Sequence, residues 1–192
     1  MHVELSGLRV MILDDSAHML ALLGTIFLSF GIRDVTRVRS TRAAVKALDG
    51  GRVDIAIIDK HLEGDDGLQL LRTVRRRDDA CDPRIPMILL TAHTAKSVVI
   101  DAVMSGATDV LSKPVSARVL YEHIVDAVLK PRPLFDCGGY LVPIPRGVSA
   151  EQVCRMSAES FLGLVRTTAE QRAFRPMPGS FLGDGAVEPA VS

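Results

Sequence analysis

The feature that most restricts how this chain can fold is an alternation. Short apolar runs (LRVMIL, VTRV, VDIAIID, MILLT and TDVL) each give way to a longer segment with apolar residues at helical spacing. Residues 17–30 carry apolar groups at 19, 22, 23, 26, 27 and 30. Ser40 can cap a helix over 41–49, which Gly50 and Gly51 close. GLQLLRTVRRR, AKSVVIDAVMSG and SARVLYEHIVDAVLK supply the other helical segments. Five strand–helix units in succession predict an α/β fold, a parallel sheet with helices on both faces. VDIAIID is apolar between its two aspartates, the pattern of a strand covered on both sides.

Composition narrows the function classes. The 192 residues suffice for one domain with a good core plus an appendage. Basic and acidic residues balance at 23 each, so the chain has no electrostatic footprint for nucleic acid or an anionic membrane. Cys81, Cys137 and Cys154 are odd in number and far apart, which argues against a disulfide framework or a zinc site and fits a reducing compartment. The start, MHVELSGLRVMILDD, lacks the basic and apolar regions of a signal peptide. The longest apolar stretch, MLALLGTIFLSFGI, is too short to span a bilayer and has polar breaks. The expected location is cytoplasmic.

In a sheet of this kind ligands bind at the carboxyl ends of the strands. The first strand ends in Asp14-Asp15, the third in Asp59 and the fourth in Thr91, and the fifth is followed by Lys113-Pro114. Packed together, Asp14, Asp15 and Asp59 would repel unless a cation sat among them, and oxygen ligands with room for water suit Mg²⁺. A metal beside a carboxylate, faced by a lysine and a threonine, suits an incoming phosphoryl group. Lys113 would neutralise its charge and Thr91 would donate to its oxygen. Asp59 would be the nucleophile, forming an aspartyl phosphate.

The motifs ILDDS, IIDKHLEGDDGLQLL, ILLTA and LSKP, in this order and spacing, resemble those of the receiver domain of two-component response regulators, over residues 8–130. The resemblance implies a flavodoxin-like, doubly wound (βα)5 fold with strand order 2-1-3-4-5. It implies that Asp59 is the phosphoacceptor, Asp15 a direct Mg²⁺ ligand with Asp14 beside it, and the backbone carbonyl of His61 a further ligand. Thr91 resembles the switch hydroxyl and Lys113 the phosphate-contacting lysine. Gly67 fits the loop glycine after the phosphorylation site, and Pro114 holds a peptide that is often cis in the family. His61 and His93, two residues after Asp59 and Thr91, border the path of hydrolytic water in this family. They either tune phosphate lifetime or are plain exposed loop histidines.

There are two departures from the family pattern. Glu63 stands where a proline is usual, and Val110 where an aromatic usually swings inward on phosphorylation. On the first helix, Met19, Leu22, Leu23, Ile26, Phe27 and Phe30 account for a core face, leaving Leu20, Gly24 and Leu28 as a docking face for the phosphodonor or for the chain's own tail. The alternative is isolated exposed leucines.

From Pro131 the composition shifts. Residues 131–148 read as an extended Pro/Gly-rich linker and 149–175 as one amphipathic helix, opened by a capping box of Ser149 and Gln152. Its apolar face is Val153, Met156, Phe161, Leu164 and Val165, and residues 176–192 read as a disordered tail. Six basic and six acidic groups follow Pro131, so a nucleic-acid arm is unsupported, and a single helix makes no helix-turn-helix. The lone helix must bury its face against the receiver, a second copy in a homodimer, or another protein. The expectation is a non-enzymatic switch, phosphorylated by a histidine kinase or histidine phosphotransfer protein and read by an unidentified downstream protein. A phosphorylation-independent interaction module is disfavoured by the intact pocket. An Asp-nucleophile Mg²⁺ phosphohydrolase is disfavoured because the candidate nucleophile ends the third strand, not the first.

Overall fold

The structure, a computed structural model, describes residues 4–76, 81–93 and 95–173. In chain order its elements are β1 (Arg9–Leu13), α1 (Ala17–Ser29), β2 (Asp34–Val38), α2 (Thr41–Asp49), β3 (Ile55–Asp59), the two-residue strands β4 (His61–Leu62) and β5 (Asp65–Asp66), α3 (Gly67–Val74), β6 (Met87–Thr91), α4 (Lys96–Met104), β7 (Asp109–Ser112), α5 (Ala117–Leu129), β8 (Leu134–Asp136), β9 (Leu141–Pro143), α6 (Ala150–Val153) and α7 (Ala158–Ala173). The main sheet has five strands in the order β2-β1-β3-β6-β7. All its pairings are parallel. With the small β4–β5 hairpin set aside, this is the expected 2-1-3-4-5 arrangement.

Alternation along the strands splits the core into two layers. Val10, Ile12, Ile55, Ile57, Ile88 and Leu90 face one side, packed with Leu23 and Phe27 of α1 and Leu120 and Ile124 of α5. Met11, Leu13, Ala56, Ile58, Met87 and Leu89 face the other, against Leu48 of α2, Leu71 of α3 and Ala102 of α4. β3 is buried at every position, which is why its sequence is apolar without alternation. Serine caps start α1, α2 and α5: Ser16, Ser40 and Ser116 accept from Met19, Ala43 and Val119 backbone N–H groups.

Arg75, just past α3, is fully buried. It donates to the carbonyls of Gly106 (2.8 Å), Ile85 (2.9 Å) and Pro83 and to the Thr108 hydroxyl (3.3 Å). It thereby ties the end of α3 to the turns before β6 and β7. Burial pulls its guanidinium down to about 10, so it stays charged at neutral pH.

Two sequence readings need correction here. On α1 the buried stripe is Leu20, Leu23, Gly24 and Phe27, whereas Leu22 is 44% exposed and Leu28 61%. α1 is apolar nearly all round, so periodicity fitted more than one stripe. The one chosen by the fold has the cleanest i, i+3, i+4, i+7 spacing and lets Arg37 of β2 lie over Gly24, its Nε donating to the Leu20 carbonyl at 3.3 Å.

The second correction concerns residues 131–173. The expected linker contains an antiparallel hairpin, β8 with β9, turned through Gly138 (φ 75°) and Gly139 (φ 87°). The expected single helix is two. The predicted capping box at Ser149 and Gln152 is present. However, Ser157 accepts from the Ser160 N–H at 3.2 Å and starts a second helix, α7. These pieces form a third core of Val142, Ile144, Val153, Phe161 and Val165, with Phe135 stacked on Phe161 at 4.2 Å. Val103 and Met104 of α4 pack into it, so the amphipathic face is buried against the receiver of the same chain. The tail expected over 176–192 lies outside the described residues.

Candidate functional site

Register sets the site. Leu13 pairs with Val38 and Ile58, Asp59 with Leu90, and Thr91 with Ser112. The carboxyl ends of β1, β3, β6 and β7 therefore finish at one rim. Asp14, Asp15, Asp59, Thr91 and Lys113, which are far apart in sequence, are brought there together.

Lys113 Nζ lies 2.9 Å from a carboxylate oxygen of Asp14 and 2.9 Å from one of Asp59. Asp14 is nearly inaccessible, and its other oxygen accepts from the Ser16 N–H at 2.9 Å. Asp59 is 7% exposed. Burial raises its pKa, Lys113 opposes that, and the Asp14 charge adds to the rise. For Lys113, burial pulls the ammonium down, but hydrogen bonds and charge from Asp14 and Asp59 outweigh it and the net shift is upward. Lys113 is therefore charged at neutral pH.

Asp14, Asp15 and Asp59 each offer a carboxylate oxygen within 4.8 Å of the others. Three carboxylates around one ammonium leave an excess of negative charge in a largely desolvated pocket. A hard divalent cation with oxygen ligands matches that deficit, so the residues present fit Mg²⁺.

The loop after β3 closes over the pocket. The His61 N–H approaches Asp59 at 3.4 Å, and the Glu63 N–H donates to Asp15 at 2.6 Å. Proline at position 63 could not make the second bond, so the departure at Glu63 gives Asp15 a fixed partner. Gly67 sits where a Cβ would lie 2.2 Å from the Asp59 carbonyl oxygen, so its role is close approach of α3 to β3. The Lys113–Pro114 peptide is cis.

Thr91 is buried. Its hydroxyl donates to the His93 carbonyl and accepts from the His93 N–H, both at 3.1 Å. The His61 and His93 rings are both exposed and meet edge to face at 5.8 Å between centroids. Val110 is half-buried on β7, with no aromatic ring at that position.

Of the expected docking face, Leu20, Gly24 and Leu28 do share one side of α1. They line a groove with Ala17, Ala21, Thr25 and Arg37. Leu20 forms its floor, and only Leu28 is strongly exposed.

Sequence reasoning missed two supports of the pocket. Ser16 uses its side chain to cap α1 and its N–H to fix Asp14. The serine after the aspartate pair was a readable cap signal. Arg39 donates through Nε (3.0 Å) and Nη2 (2.6 Å) to the Asp15 carbonyl, and nothing in its sequence setting marks it.

Residues 10–125 match the family described as response regulator receiver domain. The chain is 32% identical over 128 residues to transcriptional regulatory protein GlrR of Escherichia coli, a match covering 67% of this chain and 28% of GlrR. It is 26% identical to chemotaxis protein CheY of Pseudomonas aeruginosa, covering 61% of this chain and 93% of CheY. The chain thus spans little more than a quarter of GlrR and only 46% of a second regulator, TcrA of Mycobacterium tuberculosis. Among solved structures it resembles the signal receiver domain of a histidine kinase from Syntrophus aciditrophicus, with 30% identity and TM-score 0.56 over 63% of this chain and 89% of that one. A Francisella response regulator receiver domain matches at 27% identity and TM-score 0.55, over 60% and 92%. With the sheet order and the strand-end carboxylates already in place, residues 10–125 identify the chain as a member of the response regulator receiver domain family of two-component signalling.

Proposed function

We propose that this receiver accepts a phosphoryl group on Asp59 from a histidine kinase or histidine phosphotransfer protein. The observation that carries the reading is the bridge of Lys113 to both Asp14 and Asp59 at 2.9 Å, inside a trio of carboxylates at the strand rim. A carboxylate oxygen of Asp59 attacks phosphorus, the P–N bond to the donor imidazole breaks, and the imidazole leaves with the bonding pair. Lys113 stays charged throughout and swings from Asp59 to the phosphoryl oxygens. Thr91 donates its hydroxyl proton to one of them.

Asp14, Asp15, Asp59 and the backbone carbonyl of His61 would hold Mg²⁺. When bound it supplies charge neutralisation for the incoming phosphoryl group. His61 and His93 flank the approach of hydrolytic water, and their role in this reading is to set the lifetime of the phosphate. The signal leaves by protein contact rather than through DNA. What supports this is the balance of 23 basic and 23 acidic residues, which gives the chain no electrostatic footprint for nucleic acid.

The test is intact mass after incubation with Mg²⁺ and acetyl phosphate, beside Asp59→Asn. A phosphoryl-sized gain that needs Asp59 and disappears with chelator is expected. No gain, even with a candidate kinase present, would refute the reading. Unchanged dephosphorylation in a His61→Ala, His93→Ala double variant would refute the role of the histidines.

A further inference from the structure

The extension has a base fixed by ion pairs and hydrogen bonds, a helix held by apolar contacts, and a junction with the pocket. The base is tied into the receiver at separate points. Buried Asp109, at the start of β7, lies 2.8 Å from His123 Nδ1 of α5, 3.1 Å from Arg146 Nη2 and 3.6 Å from Arg132 Nη2. Arg146 also pairs with Asp126 of α5. The Leu141 N–H donates to the Arg75 carbonyl at 2.9 Å, and Tyr140 bridges to Arg76. None of these contacts involves α7.

α7 is held differently. Phe161, Val165 and Ala169 form an i, i+4, i+8 stripe that is buried where α7 lies on α4. Near its far end Glu170 lies 3.9 Å from Lys96 of α4, between half-exposed side chains, and such a pair contributes little. A helix of 16 residues is marginal in isolation, so α7 exists because α4 on one side and Phe135, Val142 and Ile144 of the β8–β9 base on the other cover its stripe.

α4 has a weak beginning. Its N-cap residue, Ala95, makes no side-chain cap bond, and its first turn carries Lys96, a cation at the positive end of the helix. This is the end that meets Glu170. Two residues before Ala95, the His93 carbonyl accepts the hydroxyl proton of Thr91. A hydroxyl has one proton. Thr91 cannot donate it to His93 and to a phosphoryl oxygen on Asp59 at once.

We propose that α7 is a displaceable occupant of the receiver's own α4 face, released when Asp59 is phosphorylated, while the β8–β9 base stays anchored at Asp109. This rests on the reading of Asp59 as phosphoacceptor. Phosphorylation takes the Thr91 proton from His93, the uncapped start of α4 loses its tether, and the α7 stripe loses its seat. The apolar faces of α4 and α7 become available together, and a silent surface becomes a docking surface. The switch needs no aromatic residue at Val110.

The test uses the full chain with Mg²⁺ and acetyl phosphate. Amide exchange is followed by mass spectrometry, and intact mass of the same sample gives phosphoryl occupancy. Amides of 161–170 are expected to exchange at least about tenfold faster in the phosphorylated protein, with β3 unchanged. Phe161→Ala, unphosphorylated, should show the same pattern, because removing the largest group of the stripe unseats α7 directly. Thr91→Ala, which lacks the hydroxyl bonded to His93, should show fast exchange over 161–170 whether or not Asp59 is phosphorylated, and parental protection in this variant would overturn the tether. Full occupancy with α7 protection unchanged overturns this inference alone. No mass gain overturns it together with the phosphoacceptor reading.

Discussion

Replacing Gly67 by alanine sets two effects of opposite sign against each other. Alanine is the better helix former, by at most about 1 kcal/mol at an interior position and less at the first residue of α3. Gly67 does not have a positive φ, so alanine meets no backbone strain there. Without a steric conflict the substitution would be neutral or stabilising. The structure supplies the conflict: the new Cβ would lie 2.2 Å from the Asp59 carbonyl oxygen, 2.9 Å from Ile58 Cγ2 and 3.1 Å from the Asp59 carbonyl carbon. Relief to 3.0 Å requires a shift of about 0.8 Å between the start of α3 and the end of β3, both backbone. Overpacking of this kind costs about 1–3 kcal/mol, so the net loss is about 1–2 kcal/mol, or about 2–8 °C in Tm for a chain of this size.

Two other glycines calibrate the measurement. Gly163, within α7, has no heavy atom within 4 Å of its Cβ position. Gly163→Ala should stabilise the helix by about 0.5–1 kcal/mol, to the extent that α7 unfolds with the rest. Gly24 would meet only the guanidinium end of Arg37, a flexible group that can swing away, so Gly24→Ala should change little. Calorimetry of the three variants gives the order Gly163→Ala, Gly24→Ala, Gly67→Ala from most to least stable. A Gly67→Ala protein as stable as the parent would refute the packing of α3 against the Asp59 carbonyl.

Arg75→Met removes a buried cation and strands the carbonyls of Gly106, Ile85 and Pro83, with an expected loss of about 3–5 kcal/mol in denaturant unfolding; a loss under about 1 kcal/mol would refute the bonding described for it. The Tyr140 phenol is pushed up to about 12, chiefly by burial and against the pull of the Arg75, Arg72 and Arg76 charges. The folded chain therefore keeps this proton after the unfolded chain has released it. The stabilisation is full below 10.0 and is lost as pH rises through about 12. Tyrosinate absorbance should show a late step that Tyr140→Phe removes, and its absence from the parent protein would refute the burial.

The parts of the molecule legible in sequence are those where one physical pattern had one solution. The run from Ile55 to Asp59 is buried throughout, so only a central strand fits it, and a carboxylate at its tip had to be either exposed or part of a site. Ser40 and Ser149 each begin a helix where the sequence places the cap. Asp14, Asp59, Thr91 and Lys113 were found by asking only what stands at strand ends. Arg39 was invisible because it works through a backbone carbonyl, and any residue can offer one.

The two misreadings share a cause. On α1, Leu20 and Leu22 are both leucines, and only the neighbouring strand decides between them. Arg37 occupies the space over Gly24, which turns Leu20 inward and Leu22 out. In the extension, Gly138 and Gly139 read equally as a flexible spacer or as a tight turn. What makes them a turn is the partner on each side: the Cys137 N–H donates to the Tyr140 carbonyl at 2.8 Å, and Leu141 reaches the carbonyl of Arg75. That carbonyl is available because the Arg75 side chain, turned inward, has already fixed the end of α3 against Gly106. A buried arginine in the receiver thus prepares the edge on which the extension begins to fold. On this reasoning Arg75→Met should loosen the β8–β9 hairpin before it loosens the main sheet, an order that site-resolved amide exchange would reverse if the hairpin were held by its own turn alone.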